Sequence, residues 1–396
     1  MASNKPLIFV KRTSPMTIIQ DYANLMDNSQ YTSYFHPKEK VIVKLNLSWS
    51  KYFPACSSPP WQVDGVLSKL KADGFLSRNI FTAENRTVVT NIEKGLVGNK
   101  WESIITKHNC FFVPLTRIPL VPFQSKIPLL ALDSKIFPEG YSIPKFYIGK
   151  NIIHLPTMKT HGHTGARGGL FSDQNPEMRG GITCAIKNAF GGLLTKRRHH
   201  SHEYMSEVLV DLLIIQQQIH PNIMAIVDGT VAGDGAGPRC MIPRIKNIIL
   251  AGYDQVAVDA VVASLMGFKP MNLPFIKIAH DMGLGCGDLD QIEILGEDIR
   301  GENWGFNVKR SLVIWADQQV RKGKLRFLKN LLMYNRIIFN LLTVNMSGIY
   351  HDVLWYNTVG RYRIANYNKT DWGKLFKQYP NNPLPEHKLN IIRQEL

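Results

Sequence analysis

The sequence predicts an α/β protein: a mostly parallel sheet flanked by helices, with an irregular Pro-rich insertion and a helical C-terminal extension. Three observations lead there. Short β-branched apolar runs such as KVIVKLNL (40–47) suit strands buried on both faces, as parallel strands are. These runs alternate with segments of helical spacing, the order of βαβ units. Composition changes after about residue 300, where apolar strands give way to basic segments of helical spacing.

Taken in order, residues 5–12 read as a strand and 16–26 as a helix, followed by the strand 40–47. Pro59 and Pro60 open a helix over 61–73 that closes at Gly74. Strands follow at 78–83 and 110–115, with a helix over 101–108 between them. The Pro-rich stretch 116–146 is expected to be an irregular excursion or an antiparallel hairpin between two halves of the sheet. A strand over 147–155 ends at Pro156. An amphipathic helix spans 203–219, with Met205, Val208, Leu209, Leu212, Leu213 and Ile219 on one face. Strands at 222–227 and 246–251, a helix at 255–266 and a strand at 291–295 complete a core domain over 1–300. Residues 301–396 form the extension.

Lys and Arg number 47 against 31 Asp and Glu, a formal charge of +16, which favours anionic partners. The five cysteines lack C-x-x-C spacing, so no iron–sulfur cluster, Cys-based zinc site or disulfide framework is expected. That usage fits a reducing, cytoplasmic setting. The opening residues MASNKPLIFVKR carry no apolar run of secretory type, and no spanning helix is expected.

The stretch 159–202 stands out. It holds five of the twelve histidines and three Gly-Gly pairs, a permissive backbone ringed by imidazole and cationic groups. Ligands of open parallel sheets sit at strand carboxyl ends. Lys44 and Asn46, Glu84 and Asn85, Lys159 and His161, and Asp228 all fall there. Lys187 lies in the apolar pattern ITCAIKNAFGGLL beside Asn188. There a desolvated ammonium would suit a base, a nucleophile or a phosphate clamp, and a snorkelling surface lysine is the alternative. His161 and His163 share a face of an extended segment and can ligate a divalent metal, with Asp228 or Asp234 completing the set; hydrogen bonds to phosphate or carboxylate are the alternative. The basic run 196–202, with Arg197 and His199, precedes a helix N-terminus, where anions are favoured. DGTVAGDGAGPR (228–239) reads as a Gly-rich turn series around Gly235. Asp254 is an N-cap candidate, and Asp259 falls on an apolar helix side, where it needs a partner. Residues 309–336 carry eight basic residues and one acid, with Leu325, Leu328, Leu332 and Phe339 near helical spacing. This is either a basic amphipathic helix on acidic lipid, extending to 346, or a helix packed on the core. No signature for nucleic acid is present.

Several segments resemble the domain-of-unknown-function 362 family in order and spacing: KLNL (44–47), LPTMKTHGHTG (155–165), AIKNAFGG (185–192), IVDGTVAGDGAGPR (226–239), DQVAVDAVVASLMG (254–267) and GLG (283–285). Many members carry a ferredoxin-like cysteine cluster, which this chain lacks, and the family implies no general activity. A partial similarity to the nickel-pincer lactate racemases rests on His161, Lys187 and His199, with different residues between them.

The expected function is an enzyme acting on an anionic small molecule: phosphorylated, nucleotide-linked or lipid-linked. Lys159, His161, His163 and Lys187 would be catalytic. Lys44, Asn46, Glu84, Asn188, Arg197, His199 and Gly235 would bind substrate. The reaction stays open among isomerisation, group transfer and ligation. The alternatives are a non-catalytic scaffold at an acidic membrane, peripheral on its inner face, and a metal-cofactor racemase.

Overall fold

The computed structural model describes residues 5–86, 90–164, 181–194 and 197–381. Its strands are β1 (Leu7–Arg12), β2 (Val41–Lys44), β3 (Ile80–Glu84), β4 (Phe111–Pro114), β5 (Leu120–Phe123), β6 (Tyr141–Pro144), β7 (Asn151–His154), β8 (Thr157–Thr160), β9 (Ile182–Thr183), β10 (Ile223–Ala236), β11 (Cys240–Gly252) and β12 (Glu293–Gly296). Ten of them form one sheet with the order β12-β1-β11-β10-β7-β2-β3-β4, and β8 pairs with β10 and β9. The run β10-β7-β2-β3-β4 is parallel, while β11 is antiparallel to both neighbours. The Pro-rich excursion contains the antiparallel pair β5–β6, separate from the main sheet.

Helices cover both faces, as the buried strand patterns require. The helices Ile18–Asn28 and Pro60–Ala72 pack on one side with Val41, Val43 and Ile226. Met205–Ile219 and Gln255–Leu265 pack on the other with Ile42, Ile152 and Val227. Asp254 caps its helix, accepting from Val256 N at 2.8 Å and Ala257 N at 3.0 Å. Asp259, buried inside that helix, accepts from Ala185 N at 2.6 Å and Ile186 N at 3.2 Å. Its partner is therefore the first turn of the short helix Ala185–Asn188.

Two elements differ from the sequence reading. The strand expected from residue 147 begins at Asn151, because Lys145–Tyr147 forms a 3-10 turn and Gly149 sits at φ +72°. The Gly-rich series after Asp228 is no turn series: β10 runs through it to Ala236 and pairs with β11. Its glycines serve close packing. A Cβ on Gly229 would come within 2.6 Å of Met158 Sδ, and one on Gly233 within 2.4 Å of Met241 Sδ. Glycine frequency signals turns when the neighbouring layer is unknown; here it signals strands pressed against bulky methionines.

The C-terminal extension is built into the core. Trp372 packs on Trp61 with ring centroids 5.0 Å apart, and its Nε1 donates to Asn247 Oδ1 at 2.8 Å. Phe376 stacks on Tyr52 at 3.6 Å. Removing a fully buried indole costs about 3–5 kcal/mol. Trp372→Ala is expected to lower stability by that amount in urea unfolding, with core and extension still melting in one transition; separate transitions would show that the two fold independently.

Candidate functional site

In the parallel run, β2, β3 and β4 follow one another outward in one direction, and β7 and β10 outward in the other. The order therefore reverses between β2 and β7, where Lys44 lies beside His154 in register. A crevice at such a switch point, outside the strand carboxyl ends, is where ligands of this architecture bind.

The first side chains at that point are buried and charged. Lys44 Nζ pairs with Glu84 Oε2 at 2.9 Å, and both residues are almost wholly enclosed. Glu84 also accepts from Leu47 N and Asn85 N, each at 2.8 Å. Burial lowers the Lys44 pKa and raises that of Glu84, and each is opposed by the other's charge. Gly191 makes this close arrangement feasible: a Cβ there would lie 2.9 Å from Glu84 Oε1 and 3.0 Å from Lys44 Nζ.

A second tier stands above the pair. Asn46 Nδ2 donates to Asn188 Oδ1 at 3.2 Å, and Asn188 Nδ2 donates to Lys44 O at 3.1 Å. Lys159 Nζ donates to Asn46 Oδ1 and Thr157 Oγ1, both at 2.6 Å. Burial brings the Lys159 pKa down to about 8. Lys187 projects from the helix that Asp259 caps, with its Nζ 4.7 Å from the centre of the Phe190 ring. Burial and the nearby charges of Lys159 and Arg198 bring its pKa down to about 7. Among the described residues, neither Lys159 nor Lys187 has a carboxylate partner within 4.0 Å. Lys44, Asn46, Glu84, Asn188, Lys159 and Lys187 thus gather at one point of the fold, as the sequence reading grouped them.

Two residues there escaped that reading. His154 ends β7, with Nε2 2.6 Å from Gln216 Oε1, and burial lowers its pKa to about 3. Arg198 donates to the carbonyls of Arg86, Phe190 and Leu194 and acts electrostatically on Glu84. The sequence singled out its neighbour Arg197, which is half exposed and pairs with Glu139. Both arginines lie in one basic run, and nothing in that run distinguishes the inward one.

Three histidines, His161, His163 and His202, form a second cluster. His161 Nδ1 accepts from His163 N at 3.2 Å. The His163 and His202 rings stack at 4.2 Å. Asp317, from the helix Leu312–Lys322, places Oδ2 3.7 Å from His202 Nδ1 and 4.0 Å from His163 Nδ1. Burial lowers the pKa values of His161, His163 and His202. Burial opposes ionisation of Asp317, yet hydrogen bonding to His202 and the Arg321 guanidinium hold its carboxyl far below the usual range. His199 is stacked on Phe339 at 4.1 Å and lies beside His200 at 3.9 Å.

Neither acid proposed as a metal ligand joins these histidines. Asp228 lies on the opposite face of the sheet, held by Tyr22 Oη at 2.7 Å, Trp61 Nε1 at 3.0 Å and Thr230 Oγ1 at 2.7 Å. Strand alternation sends its side chain away from Lys44. Asp234 pairs with Arg244 and accepts from Asn307 N at 2.9 Å. Gly235, at φ +94°, acts through its carbonyl, which accepts from Thr160 Oγ1 and Lys309 N. Residues 165–180 and Lys196, part of the histidine- and glycine-rich stretch, lie outside the described residues.

The architecture is thus that of an α/β protein with a cluster of buried lysines at its switch point. The family model described as a domain of unknown function (DUF362) matches residues 177–264, and over that segment the chain resembles this family. A thylakoid-associated protein of Synechocystis sp. is 25% identical over 183 residues, covering 44% of this chain and 50% of the relative. The chain spans about half the length of that curated relative. No solved structure matches.

Breaking a buried ion pair from one side strands a charge and costs about 3–5 kcal/mol, whereas replacing both members is far cheaper. Lys44→Met and Glu84→Met are each expected to destabilise by that amount, and the double variant to recover most of it. Additive losses in chemical denaturation would mean that the two charges do not depend on each other.

Proposed function

We propose that the protein is an enzyme acting on an anionic small molecule bound at the switch-point crevice, with a phosphorylated, nucleotide-linked or lipid-linked group as the recognised part. One observation carries this reading: Lys159 and Lys187 are ammonium groups in a desolvated setting without carboxylate partners. Such groups are stabilised by an anion that arrives with its own charge. Lys44, neutralised by Glu84, shapes the floor, and Asn46 and Asn188 orient the substrate. Lys187, titrating near neutrality, is the group best suited to move a proton, and the neutral His161 imidazole is a second acceptor. The chemistry fits isomerisation, group transfer or ligation.

A second reading, a non-catalytic binding or scaffold protein at an acidic membrane surface, is favoured by a different observation. Consecutive helical segments run over 336–367. One side of this run packs inward through Phe339 and Ser347. The other side exposes Ile337, Leu341, Met346, Val353 and Leu354, and Phe327 precedes them at 78% exposure. Exposed apolar side chains preceded in sequence by Lys322, Lys324 and Arg326 suit the interface of an anionic bilayer. No helix among the described residues is long and apolar enough to cross a membrane, and the association proposed is a peripheral one. The relative's description as thylakoid-associated supports a membrane-associated reading.

Pyrophosphate titration by calorimetry tests the first reading. The ammonium forms are lost as pH rises through about 7 for Lys187 and about 8 for Lys159. Affinity is expected to fall as pH rises across that window, and Lys187→Ala to weaken binding at least about tenfold, roughly 1.4 kcal/mol. Binding that is indifferent to both pH and this substitution would remove the reading. Flotation with anionic vesicles tests the second. Serine at Phe327, Ile337, Leu341 and Leu354 together is expected to abolish flotation, and retained flotation would remove the membrane surface.

A further inference from the structure

We infer that His163, His202 and Asp317 form a binding site for a divalent transition-metal cation of zinc type. This goes beyond the anionic-substrate reading and does not depend on it. The three donors come from separate parts of the chain: the loop after β8, the 3-10 turn His200–Glu203, and the helix Leu312–Lys322. One ligand atom from each lies within 4.8 Å of the others. Ligands around tetrahedral zinc, at bonds near 2.0–2.1 Å, stand about 3.4 Å apart. The observed 3.7 Å and 4.0 Å from Asp317 Oδ2 to the imidazoles need a contraction of a few tenths of an ångström, and the two imidazole nitrogens, within 4.8 Å of each other, have to draw together as the ion binds.

Two imidazoles and one carboxylate are a hard–borderline set suited to zinc, and three protein ligands leave one position open. The surroundings hold the ligands in place. Arg321 Nε donates to Asp317 Oδ2 at 2.8 Å and fixes the carboxylate. Gln318 Nε2 lies 2.9 Å from His163 Nδ1 and has to release that nitrogen when the metal binds there. Asp317 is neutralised by Arg321, so the site carries little net negative charge, which weakens its hold on a cation. Lys187 lies near enough to act electrostatically on both imidazoles.

The test uses the tag-free full chain, freed of metal by a chelator and titrated with Zn2+ by calorimetry and with Co2+ by visible absorption. One equivalent of each is expected, with the d–d bands of low-coordinate cobalt. His202→Gln and Asp317→Asn should each weaken binding at least tenfold. Gln318→Ala should bind as tightly as the parent chain or more tightly, which guards against loss through misfolding. Zn2+ should raise the melting temperature of the parent chain and of Gln318→Ala but not that of His202→Gln. No stoichiometric binding by the parent chain would overturn the site, as would undiminished binding by folded His202→Gln.

Discussion

An ammonium and a carboxylate buried where β2 and β3 end have lost water on every side, and the surrounding protein supplies what water would have. Glu84 is served by Lys44 and by two backbone amides. The backbone of the helix Phe190–Leu193 can approach only because Gly191 carries no side chain. Asn188 closes over the Lys44 carbonyl and ties that short helical region to Asn46. One electrostatic requirement thus fixes the spacing between β2, β3 and the segment that presents Lys187. The Asp259 cap anchors the same segment from the opposite helix layer. Lys187 is therefore held between two carboxylates that it does not itself contact.

Much of this arrangement was legible in the sequence, for a physical reason. Buried parallel strands must be apolar until they end, so the first polar residues after VIVK, IFTAE and NIIH mark the edge where the strands stop. That rule found Lys44, Asn46 and Glu84 without knowledge of strand order. It misplaced Asp228, because residues at the ends of neighbouring strands can point to opposite faces and periodicity alone does not show which face holds the site. The long hairpin of β10 and β11 was hidden by the same glycines that make it possible. Their small size answers Met158 and Met241, partners far away in sequence.

Tertiary partners decided the rest. Asp317 lies in a segment that reads as a basic helix, and its carboxylate meets His202 only when the extension folds back over the core. The same extension turns one face to the core and leaves another open. The stripe of Leu332 and Phe339 packs with Val320 and Met333, while Phe327, Ile337 and Leu341 stay outside. Residues of similar hydrophobicity a few positions apart thus have opposite environments, and hydropathy alone does not separate them.

The backward reach of the extension has a temporal side. Arg310 donates to the carbonyl of Gly162, Ile314 packs against that glycine, and Gln318 meets His163. The loop after β8 thus receives its cover from residues about 150 positions later. At a synthesis rate of roughly 5–20 residues per second, that cover leaves the ribosome about 8–30 s after the loop does. A nascent chain spends that interval with its histidines and the floor beneath them open to water. A segment made late is therefore the one that covers this loop.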